Sequence, residues 1–378
     1  MGGAVPKPLR EQDPREVSGY PVRARIGEGG MGTVYLSYSR GGQPVALKLI
    51  RAEYAEGSGS TAFRERFARE IAAAHHVAGY HLVPVVDHDA HAARPWLATR
   101  YVPGIPLDDA LDDHGPLPAA TVLQLAACTA RALSAVHLAG VIHRDVKPGN
   151  LLLAADGPWL LDFGIARAAG ATLTTVGRLV GTPRYMSPEH ALGQPLTPAA
   201  DVFALGLVAA EAAAGRHPFG RGNGLAIAAR IAGTDREPPA LDDVPEPVRA
   251  LVRSCLAARP EDRPTAARAA ELFAAAFAET AGRDAQEVRD AHDVGEDGGQ
   301  DAVGGVRDIR DFTGWLPAPV AADVTRVQAS LSPAVPAPSP VPLADAETVR
   351  ALPPTAPLTV RDESGTSSEW SRRVRREP

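Results

Sequence analysis

A glycine cluster set between two strand-like runs limits this chain's fold more than any other feature. Gly27-Glu28-Gly29-Gly30-Met31-Gly32-Thr33-Val34 reads G-x-G-x-x-G-x-V. PVRARIGEGG and TVYLSYS around it show the two-residue alternation of strands. The turn Arg40-Gly41-Gly42-Gln43 then leads into a further strand, PVALKLI. A dinucleotide-binding fold puts such glycines between a strand and a helix, so a strand on both sides argues against that fold. Glycines without side chains let the backbone close over a nucleotide's phosphates, although a glycine loop alone also serves ordinary turns.

Residues 61–74 (TAFRERFAREIAAA) carry the spacing of an amphipathic helix, and Leu82–Asp87 and Pro95–Val102 read as two more strands. The composition then changes. Thr121–Ala139 is a Leu/Ala-rich helix, Leu151–Leu153 and Trp159–Leu161 are short strands, and from Ala199 the chain is helical with Pro and Gly breaks. The expected class is α+β: a small β-rich N-lobe with one main helix over residues 19–102 and a larger α-helical C-lobe over 103–280. Residues 1–18 read as a flexible lead-in, and 281–378 as a largely disordered tail, acidic first and then rich in Pro and Ala. That tail holds 16 acidic and 11 basic residues, most of the chain's net charge of -6. Within it, Trp315, Leu316, Val320, Val324 and Val327 fall near helical spacing. A short docking helix over 315–328, on this domain or on a partner, and a chance pattern in a disordered tail both fit.

The acidic balance gives no support to a nucleic-acid surface. Cys128 and Cys255 stand far apart in helical segments, so they read as packing residues rather than a disulfide or zinc site. The start of the chain lacks an apolar run, and nowhere do 18 consecutive apolar residues occur. No membrane span is expected, and the expected location is cytoplasmic. His75, His76, His81, His88 and His91 are irregularly spaced, which favours surface or loop histidines over a metal site.

Only three lysines occur in a chain with 39 basic residues, and only two asparagines. Lys48 ends Val45-Ala46-Leu47-Lys48 on a strand, where a buried ammonium requires a partner. Glu70 is preferred over Glu53 and Glu65, because the stripe Phe63, Phe67, Ile71 brings its helix face to the sheet. Such a pair would hold Lys48 against a nucleotide's α- and β-phosphates. His143-Arg144-Asp145-Val146-Lys147-Pro148-Gly149-Asn150 supplies the rest. Asp145 is placed to accept a hydroxyl proton, Lys147 to stabilise a transferred phosphoryl group, and Asn150 to offer an amide oxygen to a metal. Asp162 of Asp162-Phe163-Gly164 follows Asn150 by twelve residues as the second metal ligand. Phosphoryl transfer needs position, metal ions and positive charge, and each now has named residues.

On these motifs the chain resembles the Hanks-type, eukaryotic-like serine/threonine protein kinases of bacteria over about residues 19–277, with a composition like that of actinobacterial members. The resemblance implies the two-lobed protein kinase fold, ATP in the cleft, and Mg²⁺ or Mn²⁺ as cofactor. It implies that Gly27, Gly29 and Gly32 cover the phosphates, Thr99 is the gatekeeper, and Arg100-Tyr101-Val102 is the hinge. Val34 and Ala46 would lie above the adenine and Leu152 below. The activation segment would run from Asp162 to Glu189, with Thr172, Thr174 and Thr175 as phosphorylation candidates and Thr182 near its end. Asp201 would hold the catalytic-loop backbone, and Arg263 would pair with buried Glu189. Lys147 and the Gly-Thr-Pro around Thr182 resemble serine/threonine rather than tyrosine kinases. The implied activity is transfer of the ATP γ-phosphoryl group to protein Ser/Thr hydroxyls in bacterial signalling. The implied partners are protein substrates, the chain itself by autophosphorylation, and a regulatory partner through the tail. The sequence departs from the pattern at Arg100, where an acid is frequent, at Ala74, smaller than usual, and at Ser187, where Ala is more usual.

Overall fold

Strand alternation carries through the first hundred residues. Strands β1 (Glu16–Val17) and β2 (Tyr20–Pro21) pair with each other. Strands β3 (Ala24–Gly29), β4 (Gly32–Tyr38) and β5 (Pro44–Ile50) then run antiparallel. The computed structural model describes residues 6–56, 60–75, 77, 79–161, 183–292 and 308–331. After the short helix α1 (Ala52–Ala55) and the longer α2 (Ser60–His75), β6 (Val85–Asp89) and β7 (Trp96–Arg100) complete a sheet of order β3-β4-β5-β7-β6. The second half opens with β8 (Gly104–Pro106), α3 (Leu107–His114) and α4 (Ala119–Leu138). Strands β9 (Leu151–Ala154) and β10 (Gly157–Leu160) join β8 in a small sheet of order β10-β9-β8. Helices α5 (Pro188–Ala191), α6 (Ala199–Ala214), α7 (Gly224–Ala232), α8 (Val248–Cys255), α9 (Ala266–His292) and α10 (Ala318–Ser330) follow.

Register divides the large sheet into two faces. Val34 pairs with Lys48 and Lys48 with Leu97; Leu36 pairs with Ala46 and Ala46 with Thr99. Directly paired residues share a face, so Val34, Ala46, Lys48 and Thr99 look the same way. Tyr35, Leu47, Leu49, Trp96 and Ala98 form a separate buried cluster with Val22, against which Leu9, Val17 and Tyr20 pack.

The lead-in is therefore not loose, as expected from its polarity, because an antiparallel sheet apolar on both faces needs both covered. Residues 6–22 cover the outer one. Lys7 bridges to Arg25, and Asp13 takes the Arg25 guanidinium at 2.6 Å and the Tyr35 hydroxyl at 2.8 Å. Burial alone would push the Asp13 carboxyl up, but its hydrogen bonds and the Arg25 charge hold it below the usual carboxylate value.

Helix α4 is long and apolar enough to cross a bilayer, yet most of it is buried within the protein, against α6 and α9. Cys128 and Cys255 are buried, and burial pushes both thiols up to about 12. His81 lies in the turn between α2 and β6, a loop position as expected, but it is buried, with Nδ1 2.7 Å from the Pro158 carbonyl.

The expected tail begins later and contains more structure. Helix α9 continues to His292, since its last turns are built largely from Ala, Glu, Arg and Gln, all good helix formers. Within 315–328 the chain is helical only from Ala318, in α10, and Trp315 and Leu316 precede the helix; both are buried, as are Val320, Val324 and Val327.

Arg263 shows how buried charge is accommodated. Its guanidinium meets both Glu189 oxygens at 2.8 and 2.9 Å and donates to the carbonyls of Ala257, Ala258 and Ala199. Every guanidinium N–H thereby has an acceptor. Burial pushes the Glu189 carboxyl up, but its hydrogen bonds, that from Arg263 foremost, bring it below its usual value. Replacing Arg263 by Ala strands that carboxylate, and the expected loss in urea unfolding is about 3–5 kcal/mol. A loss under about 1 kcal/mol would contradict this account of the pair.

Candidate active site

The loop 143–150 is shaped by one carboxylate. Asp201, buried on α6, accepts from the backbone N–H groups of His143 and Arg144, each at 2.8 Å, as expected of it. His137 Nε2 on α4 also lies 2.8 Å from Asp201 Oδ2, a partner the sequence does not reveal. These bonds hold Arg144 at φ 64°, a left-handed conformation costly for a side chain other than glycine. The His143 ring lies 3.0 Å from the Leu161 carbonyl and accepts from the Asp145 N–H at 3.4 Å. That combination requires the tautomer with hydrogen on Nε2. His143 thus links the Asp145 backbone to the residue preceding Asp162.

Two of the expected polar groups, Lys147 and Asn150, converge on Asp145. Lys147 Nζ donates to Asp145 Oδ2 at 2.8 Å, and Asn150 Nδ2 donates to the same oxygen and to the Asp145 carbonyl, both at 2.8 Å. The carboxylate plane is fixed by two donors, one of them cationic. Because the Asn150 amide nitrogen is turned into the loop, its oxygen is the end suited to a hard cation, and Asn and Asp oxygens fit Mg²⁺ or Mn²⁺.

On the large sheet Val34, Ala46, Lys48 and Thr99 share one face. Gly32 admits no side chain, since a Cβ there would lie 2.2 Å from the Leu49 carbonyl oxygen. The rest of the glycine hairpin is tied down by arginines. Glu28 meets Arg25 at 2.8 Å and, more loosely, Arg10 and Arg51, while Arg51 also donates to the Gly29 carbonyl at 3.0 Å. An arginine at Arg25, a buried place on β3, was the available signal for a carboxylate beneath it.

Past β7, Tyr101 and Val102 are buried, and burial pushes the Tyr101 phenol up to about 12. Val102 shares a small cluster with Val83 and Ala154, and Leu152 packs against it. Arg100 lies over the Trp159 ring at 4.2 Å, so this departure from the pattern is used in a cation–π contact. Ser187 is explained as well: its hydroxyl accepts from the His190 N–H and caps α5.

The expected pair between Lys48 and Glu70 differs in the structure. Among the described residues no ion pair joins them, and the Glu70 carboxylate instead lies 4.0 Å from Arg144. Its Oε2 is buried without a hydrogen-bond partner. Burial pushes the Glu70 carboxyl up to about 7 against the pull of Arg144, Arg66 and Arg69. Glu70 is thus drawn to the guanidinium of the catalytic loop, which sequence spacing cannot anticipate. Asp162, Thr172, Thr174, Thr175 and Thr182 lie outside the described residues.

Residues 20–273 match the protein kinase domain family. The chain belongs to the protein kinase family. Its kinase domain is 45% identical over 262 residues to a protein of Thermomonospora curvata named probable serine/threonine-protein kinase PkwA, covering 69% of this chain and 34% of that one. It is 44% identical over 261 residues to serine/threonine-protein kinase AfsK of Streptomyces coelicolor, covering 68% of this chain and 32% of that one. The chain therefore spans about a third of the length of these two kinases. The crystal structure of the Mycobacterium tuberculosis PknI kinase domain superposes with a TM-score of 0.54 at 29% identity, over 68% of this chain and 95% of that one. The β-rich and helical lobes are those of the two-lobed kinase fold.

Glu70 yields a pH prediction. Its folded pKa, about 7, exceeds the ordinary 4.5, so between those values the folded state binds more protons than the unfolded. Glu70 therefore costs stability as pH rises through that window. Glu70→Gln should gain stability relative to the unmodified chain from pH 4.5 to 7 and level off above, read from melting temperatures; a pH-independent difference would contradict the assignment.

Proposed function

We propose that this chain is an active serine/threonine protein kinase that transfers the γ-phosphoryl group of ATP to Ser and Thr hydroxyls of proteins, including its own. The observation that carries the reading is the convergence of Lys147 and Asn150 on Asp145 Oδ2, each at 2.8 Å. A carboxylate so oriented accepts the proton of an acceptor hydroxyl while that oxygen bonds to the γ-phosphorus. The bond to the β–γ bridging oxygen breaks, and ADP leaves with its electron pair. Lys147 stabilises charge on the phosphoryl group in transit. Asn150 and Asp162 would hold Mg²⁺ or Mn²⁺, which neutralises phosphate charge when bound.

In this reading Lys48 holds the α- and β-phosphates beneath Gly27, Gly29 and Gly32. Adenine lies between Val34 and Ala46 on one side and Leu152 on the other, with Thr99 as gatekeeper and the backbone at Tyr101 and Val102 as hinge. The serine/threonine preference rests on Lys147, on the Gly-Thr-Pro around Thr182, and on the names of the relatives. The contact between Arg144 and Glu70 is read as a resting arrangement. A phosphate on Thr172, Thr174 or Thr175 would take Arg144 by bidentate hydrogen bonds and free Glu70 to meet Lys48. The kinase would act in the cytoplasm, on protein substrates.

Asp145→Asn tests the reading. Purified chain given γ-labelled ATP, Mg²⁺ and a basic-protein acceptor should incorporate label. The variant should do so at least roughly a hundredfold more slowly, with circular dichroism unchanged. Labelling that persists in the variant would remove Asp145 from the chemistry.

A further inference from the structure

Residues matched to the kinase family end at 273, yet the chain returns to the body of the domain at 308 and stays through α10. Trp315 is the centre of the returning strap. Its ring is buried, and its indole Nε1 donates to the Ala154 carbonyl at 3.0 Å. Its own carbonyl accepts from Thr121 Oγ1 at 2.8 Å. Gln124 donates from Nε2 to the carbonyls of Ile309 and Asp311, at 3.0 and 2.9 Å. Thr121 and Gln124 are buried on α4, and both turn these polar groups to the strap. Since buried polar groups need partners, α4 is built to receive it.

The β9–β10 turn is fitted to the strap too. Phe312 meets Trp315 at 5.7 Å and His81 at 5.3 Å between ring centres. Gly157 has φ 111°, and a Cβ there would lie 2.6 Å from the Phe312 ring. Only glycine allows the ring to seat. Further along, Val320, Val324 and Val327 are buried, and His114 Nε2 on α3 lies 2.8 Å from Asp323 Oδ2.

The anchor at Ala154 connects this strap to the adenine end of the cleft. Ala154 pairs with Gly104 on β8 and Gly157 on β10. It is packed with Val102, and Leu152, two residues back on β9, packs on the same cluster. The strap therefore grips the strand that carries Leu152 at a residue touching Val102. Resting on the reading that the hinge and Leu152 hold adenine, we propose that Trp315 is a positioning residue for nucleotide binding, acting through Ala154 on β9 and the hinge. The functional domain of this kinase then extends to residue 331.

The test uses the full chain with Trp315→Ala and Trp315→Phe, measuring calorimetric affinity for ADP with Mg²⁺ and the ATP dependence of phosphate transfer. Trp315→Ala should weaken ADP binding and raise KM for ATP roughly fivefold, with kcat at saturating ATP within about twofold. Trp315→Phe, which keeps a ring but loses the N–H, should fall between. If Trp315→Ala does not fold, Thr121→Val carries the test, because it loosens the same residue at nearly constant volume; the same direction of change is expected. Unchanged ADP affinity in the folded variant, or a fall in kcat at constant KM, would overturn the proposal and leave the kinase reading standing. An unmodified chain that binds no ADP would overturn both.

Discussion

The Asp201 carboxylate organises the site. It is buried on α6, takes two backbone N–H groups of the catalytic loop, and reaches His137 on α4. A lone buried carboxylate would be prohibitive, whereas one surrounded by donors is tolerated and oriented. Its bonds hold the left-handed turn at Arg144, and that turn sets the directions of the residues on either side. His143 points to the Leu161 carbonyl, and Asp145 points to Lys147 and Asn150. The catalytic geometry is thus supported from a helix in the core rather than from the loop itself.

Two buried arginine–carboxylate pairs serve the same purpose at opposite ends. Arg25 with Asp13 fastens the lead-in to the root of the glycine hairpin, and Arg25 also reaches Glu28 within it. Arg263 with Glu189 fastens α5. Replacing such a pair by apolar residues is often neutral or stabilising, so its value lies in specifying one arrangement where a loop must be held in register. Trp315 extends that logic beyond residue 273, where the family match ends, with a strap held by Thr121 on α4 and Ala154 on β9.

Much of this was legible in the sequence because the chemistry demands particular residue types. Lysine and asparagine are scarce here, and two of those few, Lys147 and Asn150, both reach Asp145 Oδ2. Strand alternation located the strands of the sheet, and the pairing register then put Val34, Ala46, Lys48 and Thr99 on one face. What escaped depends on the burial of polar groups at long range. Polarity made residues 6–18 read as loose, although Asp13 and Leu9 serve a sheet face that needed cover. Acidity hid the continuation of α9, and a Pro/Ala-rich setting left the Trp315 island undecided. The Glu70 partner is a matter of conformation, which residue spacing does not encode.

The central claim is that this site transfers phosphate to hydroxyl side chains. The most direct measurement is the intact mass of the purified full chain before and after incubation with ATP and Mg²⁺, followed by phosphoamino-acid analysis. The account predicts phosphate increments that appear only with ATP and metal, and phosphoserine or phosphothreonine without phosphotyrosine. An unchanged mass together with no labelling of any added protein, or phosphotyrosine as the main product, would contradict it.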